Sequence, residues 1–259
     1  MPRVAAPPPL EIPEALRDAL RACRHVVVLT GAGMSAESGL PTFREPLTGL
    51  WAKYRPEELA TPQAFRRDPR LVWEWYEWRR GLVAGADPNP GHYALVELER
   101  RVPSLTLLTQ NVDGLHARAG SRDVVELHGN IGRSKCFDRH HPAATWSSQG
   151  AVPPRCGQCG SLLRPDVVWF GESLPVAALQ AAQLALEECD LFLSIGTSGS
   201  VQPAASFSFH ARAAGARVAI INPEWQGPTD PEDFLLRGRS GEVLPALVRS
   251  AWPERERAQ

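Results

Sequence analysis

The sequence predicts an α/β fold, a mostly parallel sheet covered by helices on both faces, with a smaller domain inserted into it. Three observations predict it. The apolar runs "HVVVLT" (25–30), "SLTLLTQN" (104–111), "DLFLSIGTS" (190–198) and "ARVAIINPE" (216–224) do not alternate with polar residues, as strands buried on both faces require. Helical stretches separate them, giving the alternation of a parallel sheet. Polar residues then stand at the carboxyl ends of five strands: Thr30, Gln110–Asn111, His128, Thr197–Ser198 and Asn222. Ligands of open α/β sheets bind at those ends.

In chain order, "PEALRDALRACR" places Leu16, Ala19, Leu20 and Cys23 at helical spacing ahead of the first strand. "GHYALVELERR" is a helix before the second strand, and "DVVELHGN" (123–130) is a short strand. "VAALQAAQLALEEC" and "QPAASFSFHARAAG" are helices flanking the 190–198 strand, and "GEVLPALVRSAW" is a final helix. Residues 40–90, aromatic and helical, and 129–168, cysteine-bearing and irregular, interrupt this alternation. Together they are expected to form the smaller domain, leaving 10–39, 91–128 and 169–259 to the sheet domain.

The chain of 259 residues, 43% hydrophobic, is long enough for such a core. A formal charge of −1 offers no footprint for nucleic acid or an acidic membrane, and no apolar run reaches the length of a bilayer span. Five cysteines, an odd number, with no apolar leader at the N-terminus, argue against a disulfide framework and for a cytoplasmic protein.

"GAGMSA" (31–36) follows the first strand as a G-x-G-x-x-A pattern: Gly31, Ala32, Gly33, Ser35 and Ala36 form a tight turn whose backbone approaches a pyrophosphate, held by helix-terminal N–H groups. This makes the sheet Rossmann-like. A dehydrogenase would place an acid about twenty residues on, ending a second strand. Here that region is "RPEELATP", and the acid that follows a strand is Glu224 in "INPE".

Five motifs, "GAGMSAESGLPTFR", "TQNVDGLH", "ELHGN", "VVWFGE" and "GTSGSVQPA", resemble in order those of the sirtuins, NAD-dependent protein lysine deacylases. The resemblance runs from about His25 to Pro245. It implies that Thr42, Phe43 and Arg44 belong to a loop closing over NAD, with Phe43 shielding the nicotinamide end and Arg44 near the phosphates. It makes His128 the general base, which draws a proton through the ribose hydroxyls after the acyl-lysine oxygen has attacked the ribose and nicotinamide has left. An imidazole suits that task, its pKa lying near ~6.5. Gln110, Asn111 and Asp113 would hold the nicotinamide carboxamide and the ribose. Gly196, Thr197, Ser198, Asn222, Pro223, Glu224 and Ser240 would line the adenosine half. Val168, Trp169, Phe170 and Gly171 would pair their backbone with an extended peptide carrying the acylated lysine. His116 reads as structural.

"DPRLVWEWYEWRRGL" (68–82) is a helix capped by Asp68, with Leu71, Trp75, Trp78 and Leu82 as its apolar stripe. Arg79 falls inside that stripe, one turn from Tyr76, while Arg80 falls toward the polar side. An arginine there needs an anion, either a neighbouring carboxylate or a ligand's. The sirtuins that remove succinyl and malonyl groups resemble this chain in carrying Tyr-x-x-Arg, and Ala60 matches their small residue that leaves room for a longer acyl chain.

"CGQC" (156–159), twenty residues after Cys136, suggests a structural zinc ribbon. Sirtuins usually supply two cysteine pairs, and here Arg139 stands where the fourth thiolate is expected. His140, at Cys-x3-His spacing, is the first candidate for the fourth ligand beside Cys136, Cys156 and Cys159, with His141 as its rival. The alternative is that the metal has been lost. For the activity as a whole, mono-ADP-ribosyl transfer at the same NAD site and a non-catalytic NAD sensor are the competing readings, against which the Tyr76–Arg79 pair and an intact His128 speak.

Overall fold

The computed structural model describes residues 10–41, 54–143, 151–225 and 227–253. Thr42, Phe43 and Arg44 therefore lie outside the described residues. After helix α1 (Glu14–Ala22) comes β1 (His25–Thr30), then β2 (Ser104–Thr109), β3 (Val124–Glu126), β7 (Leu191–Ile195), β8 (Arg217–Ile221) and β9 (Phe234–Leu236). These six pair in the order β3-β2-β1-β7-β8-β9, every pairing parallel. The chain winds outward from β1 in one direction and, after returning, outward from β7 in the other. The switch point of this Rossmann-like sheet lies between β1 and β7, where a crevice opens beyond the strand ends.

The unbroken apolar strands follow from burial on both faces. Val26 and Val28 of β1 face a layer that includes Leu16 and Leu20 of α1, Leu95 and Leu98 of α5 (Pro90–Arg101), and Leu244 and Leu247 of α9 (Ser240–Ala251). Val27 and Leu29 face the opposite layer, with Ala182 and Leu186 of α7 (Val176–Glu187) and Phe207 of α8 (Phe207–Ala213). A strand with valine on both sides gains from each, about 1.5–3 kcal/mol per fully buried side chain.

A second sheet, in the order β5-β4-β6, is antiparallel: β4 (Gly129–Cys136) lies between β5 (Pro142–Ala143) and β6 (Leu163–Val167). Against it pack α2 (Pro56–Leu59), α3 (Pro62–Arg67) and α4 (Pro69–Ala84), sharing a core of Leu59, Phe65, Val72, Trp75, Ile131 and Trp169. Helix α6 (Leu115–Ala119) completes the elements used below.

Several expectations change. The turn after β1 leads into two short 3₁₀ turns, Ala32–Met34 and Ala36–Ser38, and not into an α-helix. The "DVVELHGN" segment is not one strand but divides into β3 and the start of β4, leaving Leu127 and His128 in the turn between them. Asp68 caps α4 as expected, accepting from the Leu71 amide at 3.0 Å. The buried face of α4, however, is Val72, Trp73, Trp75 and Tyr76, and Leu82 is exposed. Trp73 turns to a separate cluster with Cys136, Cys156 and Leu163, so α4 is wedged between two cores. Arg80 is correspondingly not on a solvated face. It donates to the Ile131 carbonyl at 2.7 Å and to Ser134 Oγ at 3.1 Å, with Glu77 as its ion-pair partner, and ties α4 to β4.

Candidate active site

The glycine turn fits into the loop after β7. The Gly33 amide donates to the Gly196 carbonyl at 2.9 Å, and Gly196 adopts φ +59, where any side chain would run into the Met34 amide. Two backbones thus meet at the switch point with no side chain between them. Thr197 is buried and bonded to Ser194 Oγ at 3.0 Å, and Asn222 Nδ2 donates to the Thr197 carbonyl at 2.7 Å. Asn222 Oδ1 also accepts from the Glu224 amide at 3.0 Å, so Asn222 is occupied in shaping the rim while Pro223 and Glu224 stand exposed on it. Ser198 bonds Ser200. Ser240, at the start of α9, lies beside Glu37, whose carboxylate accepts from the Gly241 amide at 2.6 Å. Glu37 was not singled out by sequence; its place inside the motif "SAES" was the available signal.

Beside this rim, Ser35 joins the two polar residues that follow β2. It donates to Asp113 Oδ2 at 2.8 Å and accepts from Asn111 Nδ2 at 3.1 Å, while Asp113 Oδ1 accepts from the Leu115 amide at 2.9 Å. Burial raises the Asp113 carboxyl above its ordinary value, against these hydrogen bonds. Beneath them, Thr30 Oγ1 donates to Thr109 Oγ1 at 2.8 Å, and Thr109 Oγ1 accepts from the Asn111 amide at 3.0 Å. His116 Nε2 meets Thr30 Oγ1 at 2.9 Å in the core, and burial pushes its pKa down to about 3. A neutral, buried ring of this kind is structural.

His128 stands on the turn into β4. Gly129, at φ +77, lies so close to β6 that a Cβ would collide with the Asp166 carbonyl, and this approach fixes the turn. His128 Nδ1 lies 2.9 Å from the Gln110 carbonyl, an atom that can only accept. The proton therefore resides on Nδ1, and Nε2 keeps its lone pair. Burial lowers the His128 pKa below 6.5, the bond to Gln110 opposing this in part. The ring is then neutral at neutral pH, the form a base must have.

Gln110, Asn111 and Asp113 open onto a cleft that Ser35, Ile131 and Arg79 also line. Arg79 rests over the Trp75 ring at 5.0 Å from its centroid. Desolvation lowers its pKa, with the nearby Tyr76 and Asp113 pulling the other way. Tyr76 lies deeper, one turn back, and its hydroxyl accepts from Trp169 Nε1 at 2.9 Å. Ala60 is buried in the same core, and its carbonyl accepts from the Phe170 amide at 2.9 Å. The amides of Val168 and Trp169 are likewise engaged, by the His128 carbonyl and by Glu172 Oε2. Phe170 and Gly171 are exposed.

The metal ligands need one correction. Cys136, Cys156 and Cys159 converge with His141, all four ligand atoms lying within 4.8 Å of one another. His140 is exposed at φ +56, on a tight turn that its amide closes onto the Cys136 carbonyl. That turn brings His141 back, its carbonyl accepting from the Cys136 amide at 2.8 Å and its Nδ1 lying 3.8 Å from Cys156 Sγ. Three thiolates and one imidazole at this spacing fit a tetrahedral structural zinc, with Zn–S of about 2.3 Å.

The model of the Sir2 family matches residues 31–203, which span the glycine turn, the Asn111–Asp113 segment, His128 and the thiol cluster. The chain belongs to the Sir2 family. Among the relatives of this sirtuin is NAD-dependent protein deacylase 2 of Pyrobaculum aerophilum, 55% identical over 231 residues, 89% of this chain and 92% of the relative. A crystal structure of a Sir2 homolog–NAD complex superposes with a TM-score of 0.84 at 46% identity, covering 93% of this chain and 94% of the other. A mutant Sir2 homologue in complex with 2′-O-acetyl ADP ribose gives 0.84 at 47% identity, over 93% and 96%.

Proposed function

We propose that this sirtuin is an NAD-dependent protein-lysine deacylase that removes succinyl and malonyl groups, and acetyl groups as well, releasing nicotinamide and 2′-O-acyl-ADP-ribose. The observation that carries the acidic-acyl part is Arg79, a half-buried guanidinium that lines the same cleft as Asn111 and Asp113. The deacylase name of the relative and the acetyl ADP ribose bound to the homologue support the reaction class.

Bound NAD supplies the ribose carbon that receives the acyl oxygen as nicotinamide leaves. The chain's own residues bind and orient around it. The Gly33–Gly196 contact leaves backbone against the pyrophosphate, and Thr197, Ser198, Pro223, Glu224 and Ser240 frame the adenosine. Asn111 and Asp113, locked by Ser35, meet the nicotinamide and ribose. His128 Nε2 accepts a ribose hydroxyl proton while Nδ1 stays anchored to Gln110. Arg79 then faces the distal carboxylate of a succinyl or malonyl chain, a charge-assisted contact that an acetyl group does not use. Cys136, His141, Cys156 and Cys159 would hold a structural zinc, which would keep the β4–β6 ribbon folded at a distance from the chemistry.

Arg79→Met tests the assignment. Turnover of a succinyl-lysine peptide is expected to fall by at least about tenfold relative to an acetyl-lysine peptide, the scale of one lost hydrogen bond to a charge. Equal loss on both peptides rejects the carboxylate role.

A further inference from the structure

Trp169 is placed with more care than a peptide-pairing backbone needs. Its indole is 1% exposed, and the Arg164 guanidinium carbon lies 3.3 Å from the ring centroid. Phe65 packs at 5.4 Å between centroids. The Trp169 amide is held by Glu172, which also pairs with Arg164. All of this aims one polar atom, Nε1, at one acceptor, the Tyr76 hydroxyl 2.9 Å away.

An indole N–H can only donate, and a phenolic proton lies near the ring plane in one of two opposed orientations. The indole takes the lone pair on one side, so the Tyr76 proton turns to the other. Among the described residues none accepts that proton. Tyr76 also remains a phenol, since burial pushes its pKa up to about 12. One helical turn on stands Arg79.

We propose that Trp169 is a positioning residue for acidic acyl groups: its indole N–H fixes the Tyr76 hydroxyl as a donor aimed toward the carboxylate that Arg79 faces. This rests on the acidic-acyl reading above and adds a specificity determinant outside the Tyr-x-x-Arg pair.

The test uses Trp169→Phe, Tyr76→Phe, the double variant and Arg79→Met, each read as the ratio of kcat/KM on succinyl- and acetyl-lysine forms of one peptide. Both peptides are assayed on one preparation, so a smaller folded fraction cancels. Trp169→Phe keeps an aromatic ring beneath Arg164 but removes the N–H together with part of the indole's bulk, and the cost of that lost packing to folding falls equally on both peptides. The ratio is expected to fall about tenfold in either single variant, by the loss of an oriented hydrogen bond to a charged group, and no further in the double. An unchanged ratio in Trp169→Phe, or a second independent fall in the double variant, overturns the proposal. An unchanged ratio in Arg79→Met sinks the acidic-acyl reading itself; a fall there with none in Trp169→Phe removes only the role of the indole.

Discussion

Replacing Glu172 by Gln should destabilise the protein far more than a surface substitution would. Its partner Arg164 has a side chain 1% exposed, whereas the Glu172 side chain retains 21%. Glu172 Oε2 accepts from Arg164 Nη2 at 2.9 Å and from the Trp169 amide at 2.8 Å, and Oε1 takes a second bond from Arg164. A glutamine keeps the shape but offers one oxygen for these donors, turns an N–H₂ toward the others and leaves the guanidinium charge without its counter-ion. Removing one member of a buried pair costs about 3–5 kcal/mol, and the residual exposure of Glu172 places the loss here nearer 2–3 kcal/mol. For a chain of this length that is a fall in Tm of about 5–10 °C. The pH dependence gives the sign. Burial pushes the Glu172 carboxyl up, but the bonds from Arg164 and the Trp169 amide outweigh it and leave the folded-state value below 4.5. The stability it contributes is therefore complete above the unfolded value and is lost as pH falls through the folded one. Urea unfolding of both proteins between pH 7 and 3 should show a gap of 2–3 kcal/mol that closes below about pH 4.5. A gap under about 1 kcal/mol at pH 7, or one that widens in acid, would refute this account of the loop.

Two further outcomes follow from the site. Because burial holds His128 below 6.5, the acid limb of the kcat/KM profile should fall at a pH lower than that value, and His128→Ala should abolish deacylation while NAD still binds in a calorimeter; an acid limb above 7 contradicts it. The purified protein should carry about one zinc per chain, His141→Ala should lose it and His140→Ala should keep it, as read by metal analysis of each; retention in His141→Ala would contradict the ligand set.

The sheet was legible because its strands are buried on both faces: the same residues that carry the pattern, Val26 to Leu29 and Leu191 to Ile195, fill the two layers. His128 and Asn111 stand out in the sequence as polar residues at strand ends, whereas Asp113 enters only through the family resemblance. What escaped depends on contacts distant in sequence. The face of α4 could not be centred from spacing alone, because Trp73 and Arg80 face a ribbon that begins 45 or more residues later. β9 is three residues long and borrows its pairing from β8. The helix expected after the glycine turn gives way to 3₁₀ turns, where Ser35 and Glu37 are bonded to Asp113 and to the start of α9. At the thiol cluster the choice between two adjacent histidines turned on a single positive φ at His140, a conformation that spacing rules do not reveal.

The most direct measurement is the mass of the nucleotide product when the protein is given NAD and a succinyl-lysine peptide. A species at the mass of ADP-ribose carrying one succinyl group, formed in step with free lysine peptide and nicotinamide, is the expected result. Free succinate with unmodified ADP-ribose at the earliest times, or an ADP-ribosylated peptide in its place, would contradict an acyl oxygen captured by the ribose beside His128.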